Sequence, residues 1–381
     1  MTQECSESER ILKKIRTLDP IKDHVERVTL CRLALSGKEC DQESELSKSM
    51  SVVFARILME IEDDNCSQEI EEAIEILKCC LETDHFDITP RTWGNIHDCL
   101  GDALVRRVRG ISKDNLELAL HHYESSRDFY SSDGNLDLWA EVNGRIGLLY
   151  LQLLNSDVAI QFFLHSLDVY SEDETPMKWA TVQRDIARAY MLSDMENASE
   201  YAIQHYQLSL RIITKDNDPY LWGDIHKLIG RAFLRLKSDR ESNIELAIKH
   251  IQTALSIFGK EKHPVEWAQS QRMLGRCYYR RAKGESSKNL ETALSYYNLA
   301  QSVFTKTDHP LQWANLQWLI SSACTSRSKI EERRKFLSLA IEHLKCAIGV
   351  YEIQGVSKEL AVTRKQLSQN EQLLRLEDEA K

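Results

Sequence analysis

The chain has 381 residues, 42% apolar and 28% charged, enough at roughly 100–200 residues per domain for several globular domains or one elongated array. Its 14 Gly and 6 Pro fall well below the roughly 25 and 20 of average usage, which excludes collagen-like, disordered and turn-rich all-β classes and leaves long helices. A net charge of −10 weighs against a non-specific nucleic-acid binder, and no apolar run is long enough to span a bilayer.

The opening, Met1-Thr2-Gln3-Glu4-Cys5-Ser6-Glu7, has neither a basic nor an apolar secretory region, so a cytosolic protein with reduced thiols is expected. The ten cysteines show no CxxC spacing, and the adjacent Cys79-Cys80 is a poor zinc chelate, so no metal is expected. Residues 5–37 read as two helices around Pro20, and 1–45 as an N-terminal helical cap. Beyond this the chain repeats itself. Trp93, Trp139, Trp179, Trp222, Trp267 and Trp313 are spaced by 46, 40, 43, 45 and 46 residues. Pro90, Pro176, Pro219, Pro264 and Pro310 each stand three residues before one of them. A second series, Ala73, Ala119, Ala159, Ala202, Ala247, Ala293 and Ala340, moves in step at 46, 40, 43, 45, 46 and 47. Two markers advancing together define a repeat.

Each unit reads as two helices, here termed A and B. The first lacks a Trp; its A helix is expected from about Leu46 to Ile61, before the Ala73 helix. Leu100-Gly101, Ile146-Gly147, Ile229-Gly230 and Leu274-Gly275 mark later A helices, and Asn115-Leu116-Glu117, Asn243-Ile244-Glu245 and Asn289-Leu290-Glu291 mark the starts of B helices. In the unit beginning at Pro264, apolar and small residues recur at steps of three and four, the helical period, and the proline suits a first turn. Gly284 to Lys288 breaks the helix, and Asn289 is expected as the next N-cap. Leu290, Ala293, Tyr297, Ala300 and Phe304 then share one side, with Gly275 expected at the A–B contact. Leu360-Ala361 stands where Trp-Ala would fall, marking a last A-type helix. Residues 46–355 are thus expected to form seven repeats and 356–381 a capping helix with an acidic tail. The expected class is all-α: an α–α superhelix of about seven helix pairs plus caps, stacked as one solenoid because a single pair cannot bury its own apolar face.

The Leu-Gly-x-x-Tyr core of the A helix, followed by Ala and an aromatic four residues later, resembles the tetratricopeptide repeat, lengthened here to 40–47 residues. The fuller pattern, Pro-x-x-Trp-Ala-x-x-Gln-x-x-Leu-Gly, Asn-Leu-Glu-x-Ala, Ala-x-x-Val-Phe, resembles the long repeats found beside CHAT-type caspase-like peptidase domains. Kinesin-light-chain repeats are a more distant likeness. The resemblance covers about residues 46–361 and implies the fold, not a partner. The chain ends some twenty residues after the capping helix begins, so no peptidase domain or catalytic residue is expected from it. A sensor, adaptor or regulatory arm is what the resemblance implies.

No nucleotide loop, GxGxxG, HExxH or GxSxG is present, so no enzyme, cofactor or small-molecule substrate is expected. His122, His205, His250 and His343 all sit three residues after the marker Ala, a repeated packing or solvent-edge position. Cys80, Cys277 and Cys324 read as small apolar filler, with Cys277 beside Arg276 the one thiol worth testing for reactivity. The repeated Trp read as a core ladder; Trp318, out of register, reads either as a binding anchor or as local packing. In tetratricopeptide superhelices the A helices line the concave face, and with the Gly as origin the groove positions lie at −6, −3, +1, +4 and +5. The groove then carries Arg184 and Arg188, Lys227, Arg231 and Arg235, and Arg272, Arg276, Tyr279 and Arg280, with Trp318 in the last full repeat. Acidic groove positions are fewer: Asp98, Asp102, Glu141 and Asp224. Arg272, Arg276 and Arg280 share one helical face, as do Lys227, Arg231 and Arg235. Like charges so spaced repel. They are either neutralised by neighbouring carboxylates or kept for an anionic ligand. A protein scaffold binding an acidic or carboxylate-bearing peptide is therefore expected. An accessory subunit controlling a separate caspase-like peptidase or other effector is the alternative.

Overall fold

Proline begins five helices at the position where its missing N–H costs nothing, and polar side chains close some of the ends. Thr89 and Asp218, each just before a proline, accept from the backbone N–H of Thr92 and Leu221 at 3.3 and 2.9 Å. The structure, a computed structural model, describes residues 7–19, 22–36, 45–60, 67–82 and 89–379. Among these there are 17 helices and no strand. The expected Pro20 turn, the Ile61 helix end and Cys5, Cys40 and Cys66 lie outside the described residues.

The chain divides into two compact units, residues 1–194 and 195–381. The first holds α1 (Glu7–Thr17), α2 (His24–Ser36), α3 (Glu45–Met59), α4 (Ser67–Glu82), α5 (Pro90–Arg106), α6 (Ser112–Ser132), α7 (Leu136–Gln152), α8 (Ser156–Leu167) and α9 (Pro176–Leu192). Consecutive helices from α1 to α9 pack on one another. The second holds α10 (Ala198–Ser209), α11 (Pro219–Phe233), α12 (Arg240–Leu255), α13 (Pro264–Arg280), α14 (Ser286–Gln301), α15 (Pro310–Arg327), α16 (Arg333–Ile353) and α17 (Ser357–Glu379), again packed in sequence. Helix α17 runs through the acidic residues Glu377 and Glu379, so the expected tail is helical that far.

Within a repeat, the close contact is a glycine under a ring. A Cβ on Gly101 would lie 2.4 Å from Tyr123, one on Gly147 2.6 Å from Phe163, and one on Gly275 2.4 Å from Tyr297. The rings are buried, and each contributes about 1.5–3 kcal/mol through the water it sheds. Marker alanines Ala119, Ala159, Ala247, Ala293 and Ala340 are fully buried at the same interfaces.

One expectation is corrected here. Asn289 is not an N-cap: α14 starts at Ser286, and the Asn289 amide instead donates to the carbonyls of Arg281 and Lys283 at 3.2 and 2.9 Å. Asn115 does the same for Arg107 and Arg109. The residue fastens the A–B loop, whose carbonyls have left the helical ladder and need donors. The Trp series is graded: Trp93 is buried, while Trp139, Trp179, Trp222, Trp267 and Trp313 are partly buried, and Trp139, Trp179, Trp267 and Trp313 pack against the core. In the first turn of an A helix the indole lies at the rim of the core, and Lys260 and Lys306 cover Trp267 and Trp313 at 5.5 and 5.8 Å.

A further regularity joins successive repeats. Arg107, just past α5, forks onto Glu71 of α4 at 2.8 and 2.9 Å, and Arg281, just past α13, onto Glu245 of α12 at 2.6 and 3.2 Å.

Candidate functional site

Most cations on the A helices of the first unit are answered by acids, whereas Arg106 donates to the Met59 carbonyl. Asp98, 3% exposed, accepts from Arg145 of α7 and lies 3.5 Å from Arg56 of α3. Arg145 also reaches Asp102 at 3.2 Å and Glu141 at 2.7 Å. Burial raises the Asp98 pKa to about 6 against the pull of Arg145. Burial works against the charge of Arg145, but Asp98 and Asp102 outweigh it and raise its pKa. Sequence reasoning missed Arg145, which stands two residues before Gly147 and outside the assumed register. The expected groove residues Arg184 and Arg188 lie 2.9 and 3.3 Å from Asp185 of their own helix.

In the second unit Lys227 is likewise paired. It is 8% exposed, 2.7 Å from Asp224, and donates to Gln269 at 3.2 Å. Helix α13 is different. Arg272, Arg276, Tyr279 and Arg280 line a cavity of about 410 Å³, closed on its far side by Asn315, Trp318, Leu319 and Ser322 of α15. Five of the ten sequence-predicted residues therefore meet at one place. Arg231 of α11 is exposed and close enough to disfavour the charge of Arg272 and Arg276. Arg235 borders a separate hollow of about 350 Å³, which shares Arg280.

Among the described residues, no carboxylate pairs with Arg231, Arg272 or Arg276. Burial, then Arg276 and Arg231, lower the pKa of Arg272; burial, then Arg280, lower that of Arg276. Arg272 Nε, Trp318 Nε1 and the Tyr297 hydroxyl are buried without a hydrogen-bond partner. Other lining groups are committed: Arg280 donates to the Leu234 carbonyl at 3.1 Å, and Tyr279 and Ser326 share a bond of 3.3 Å. Helix α17 braces the α15 wall through Gln366–Ser322 and Asn370–Thr325 bonds of 3.2 and 2.9 Å. A second hollow of about 230 Å³, lined by Tyr351, Val362 and Thr363, shares Asn315 and Trp318 with the first.

The remaining candidates have structural places. His97 faces His122 with Nδ1 atoms 3.0 Å apart, and His226 faces His250 at 2.9 Å, joining A to B helix in two repeats. Cys277 is fully buried and its thiol pKa is pushed up to about 12 by that burial, against the arginines nearby, so it is not activated. Among the described residues, no three His, Cys, Asp or Glu gather as metal ligands. No helix among them is long and apolar enough to cross a membrane.

Neither a protein-family model nor a curated protein matches the sequence. Solved structures do match the fold. A Rap protein complexed with Competence and Sporulation Factor is 13% identical over 97% of this chain and 99% of its own, with a TM-score of 0.51. Apo RapI is 20% identical over 75% and 97%, with a TM-score of 0.52. A Signal Transduction ATPase with Numerous Domains from Pyrococcus horikoshii, described as having a tetratricopeptide repeat sensor, is 14% identical, with a TM-score of 0.60; the match covers 98% of this chain and 54% of that one. With its helix pairs and these likenesses, the chain has the tetratricopeptide-repeat fold.

Proposed function

We propose that this protein is a non-enzymatic scaffold that binds an acidic or carboxylate-bearing segment of a partner protein at the α13–α15 cavity. The observation that carries the reading is Arg272 and Arg276: two partly buried guanidiniums without a carboxylate, on a chain of net charge −10 that neutralises most of its other A-helix cations. Arginine forks match carboxylate oxygens in two-bond geometry, and Trp318 and Leu319 give the neighbouring residues an apolar wall. A solved neighbour of the same fold was captured with a Competence and Sporulation Factor, which lends the partner-binding reading support at the level of fold.

The test is a library of short labelled peptides, acidic and neutral, read by fluorescence polarisation. Acidic peptides bind wild type preferentially, and Arg231→Glu with Arg276→Glu weakens them about tenfold or more, equivalent to about 1.4 kcal/mol. Raising the salt weakens binding in the same direction. A double variant that keeps its helix content and binds acidic peptides undiminished refutes the reading.

A second reading, a regulatory arm for a separate effector such as a caspase-like peptidase, draws on the Pyrococcus neighbour, a longer protein described as carrying a repeat sensor. It requires a stable large-area complex with a folded effector rather than capture of a short peptide, and size-exclusion chromatography of the co-purified pair separates the two.

A further inference from the structure

Comparing one repeat with another isolates a group that the sixth leaves unanswered. The tyrosine over the A-helix glycine is Tyr123 in the second repeat and Tyr297 in the sixth. Tyr123 donates its hydroxyl proton to Asp102, the residue after Gly101, at 2.7 Å. The residue after Gly275 is Arg276, which has donors only. The Tyr297 side chain is fully buried, and its hydroxyl has no acceptor. Burying a phenol in that condition disfavours the fold unless something else takes its proton. Arg272 Nε and Trp318 Nε1 are in the same state.

Each of these groups has a hydrogen to donate, and the acceptors beside them are engaged. Asn315 Oδ1 takes the Tyr351 hydroxyl at 2.7 Å, and Ser322 Oγ accepts from Gln366 and donates to the Trp318 carbonyl. The complement is a group made only of acceptors. Its charge is indicated by the unpaired guanidiniums. A carboxylate offers two oxygens and cancels one positive charge. A phosphate monoester carries nearly two negative charges at neutral pH and offers three strong acceptor oxygens, in a geometry that arginine forks grip well. The smaller hollow beyond Trp318, walled by Tyr351 and Val362, gives the residue next to the phosphorylated one an apolar seat, which favours a protein-borne phosphate over a free ion.

We propose that the α13–α15 cavity is a phosphoryl site for a phosphorylated side chain of a partner protein, with Arg272 and Arg276 gripping the phosphate, Trp318 donating from the facing wall, and Tyr297, which is close to both arginines although outside the cavity lining, donating to the same phosphate. This rests on the partner-binding reading above and narrows its ligand class.

The probes are three labelled peptide pools of one degenerate sequence, with serine, phosphoserine or glutamate at the fixed centre, read by polarisation. The phosphoserine pool binds wild type about tenfold or more tighter than the glutamate pool, and the serine pool least. Tyr297→Phe keeps the ring over Gly275 and removes only the hydroxyl; it narrows the phosphoserine preference about threefold or more without lowering the melting temperature. Arg276→Gln removes most of the binding. An undiminished preference in Tyr297→Phe overturns the proposal. So does a glutamate pool that binds as tightly as the phosphoserine pool, an outcome that leaves the acidic-peptide reading standing. If neither charged pool binds wild type, both readings fall. Inorganic phosphate that competes as well, mole for mole, as the phosphoserine pool overturns the protein-borne source.

Discussion

Two helical glycines of the second unit carry opposite predictions for the same substitution. A Cβ on Gly275 would lie 2.4, 2.6 and 3.0 Å from three carbons of the Tyr297 ring, against an optimum of about 3.5–4.0 Å. The ring must retreat by about 1 Å, and it is fully buried in a cluster with Ala268, Ala300, Phe304 and Leu316, where no open side is available. Overpacking of this kind costs about 1–3 kcal/mol, and the upper half applies because the obstacle is a rigid ring. Alanine returns about 0.5–1 kcal/mol in helix propensity. Gly275→Ala is therefore expected to lose about 1–2.5 kcal/mol net, or about 2–10 °C in a unit of this size. Gly349 lies inside α16 with nothing within 4 Å of its would-be Cβ, so Gly349→Ala collects the propensity gain alone, about 0.5–1 kcal/mol. Calorimetric melting of both variants against wild type decides the matter. Equal shifts of the same sign would refute the glycine–ring contact.

Asp98→Ala leaves Arg145 without its most buried partner. A fully buried pair loses about 3–5 kcal/mol when one member is removed, and the remaining Asp102 and Glu141 contacts bring the expectation here to about 2–3 kcal/mol, read by urea denaturation. Burial lowers the pKa of both His97 and His122 from 6.5 to about 4, so the folded form keeps them neutral where the unfolded chain takes up protons. That stability is present above pH 6.5 and is lost as the pH falls towards 4. His97→Gln, which copies the Gln317–His343 pairing of the last repeat, is expected to make the fall of melting temperature with acid shallower.

The helical period, the prolines and the Trp and Ala registers placed the helices, because each reports on a local requirement: a first turn, a rim, a tight contact. What escaped them depends on the far side of a contact. The spacing put Lys227 and Arg272 on comparable faces, yet Asp224 sits on one and nothing acidic on the other. Arg145 was missed because a helix register assigns a face but not the reach of a long side chain towards a neighbouring helix. Tyr297 was read as filler, correctly for its ring; its hydroxyl becomes significant only once Arg276 is known to stand where the second repeat has Asp102. Asn289 looked like a cap because helix starts and loop anchors favour the same residue type.

The forks Arg107–Glu71 and Arg281–Glu245 occupy the same two repeat positions at two junctions. At the junction between the second and third repeats those positions hold Glu117 and Leu153, so no such fork forms there. In a protein whose repeats contact only their neighbours, such a lock acts as a connector standard. The block from Pro90 to Tyr130 presents the same basic end to what precedes it as the block from Pro264 to Phe304, and each meets a glutamate. A graft of one block into the other's place would bring a matching plug, whereas the third repeat would arrive without one. The two forks thus mark where this chain can exchange or duplicate a repeat with its seams intact.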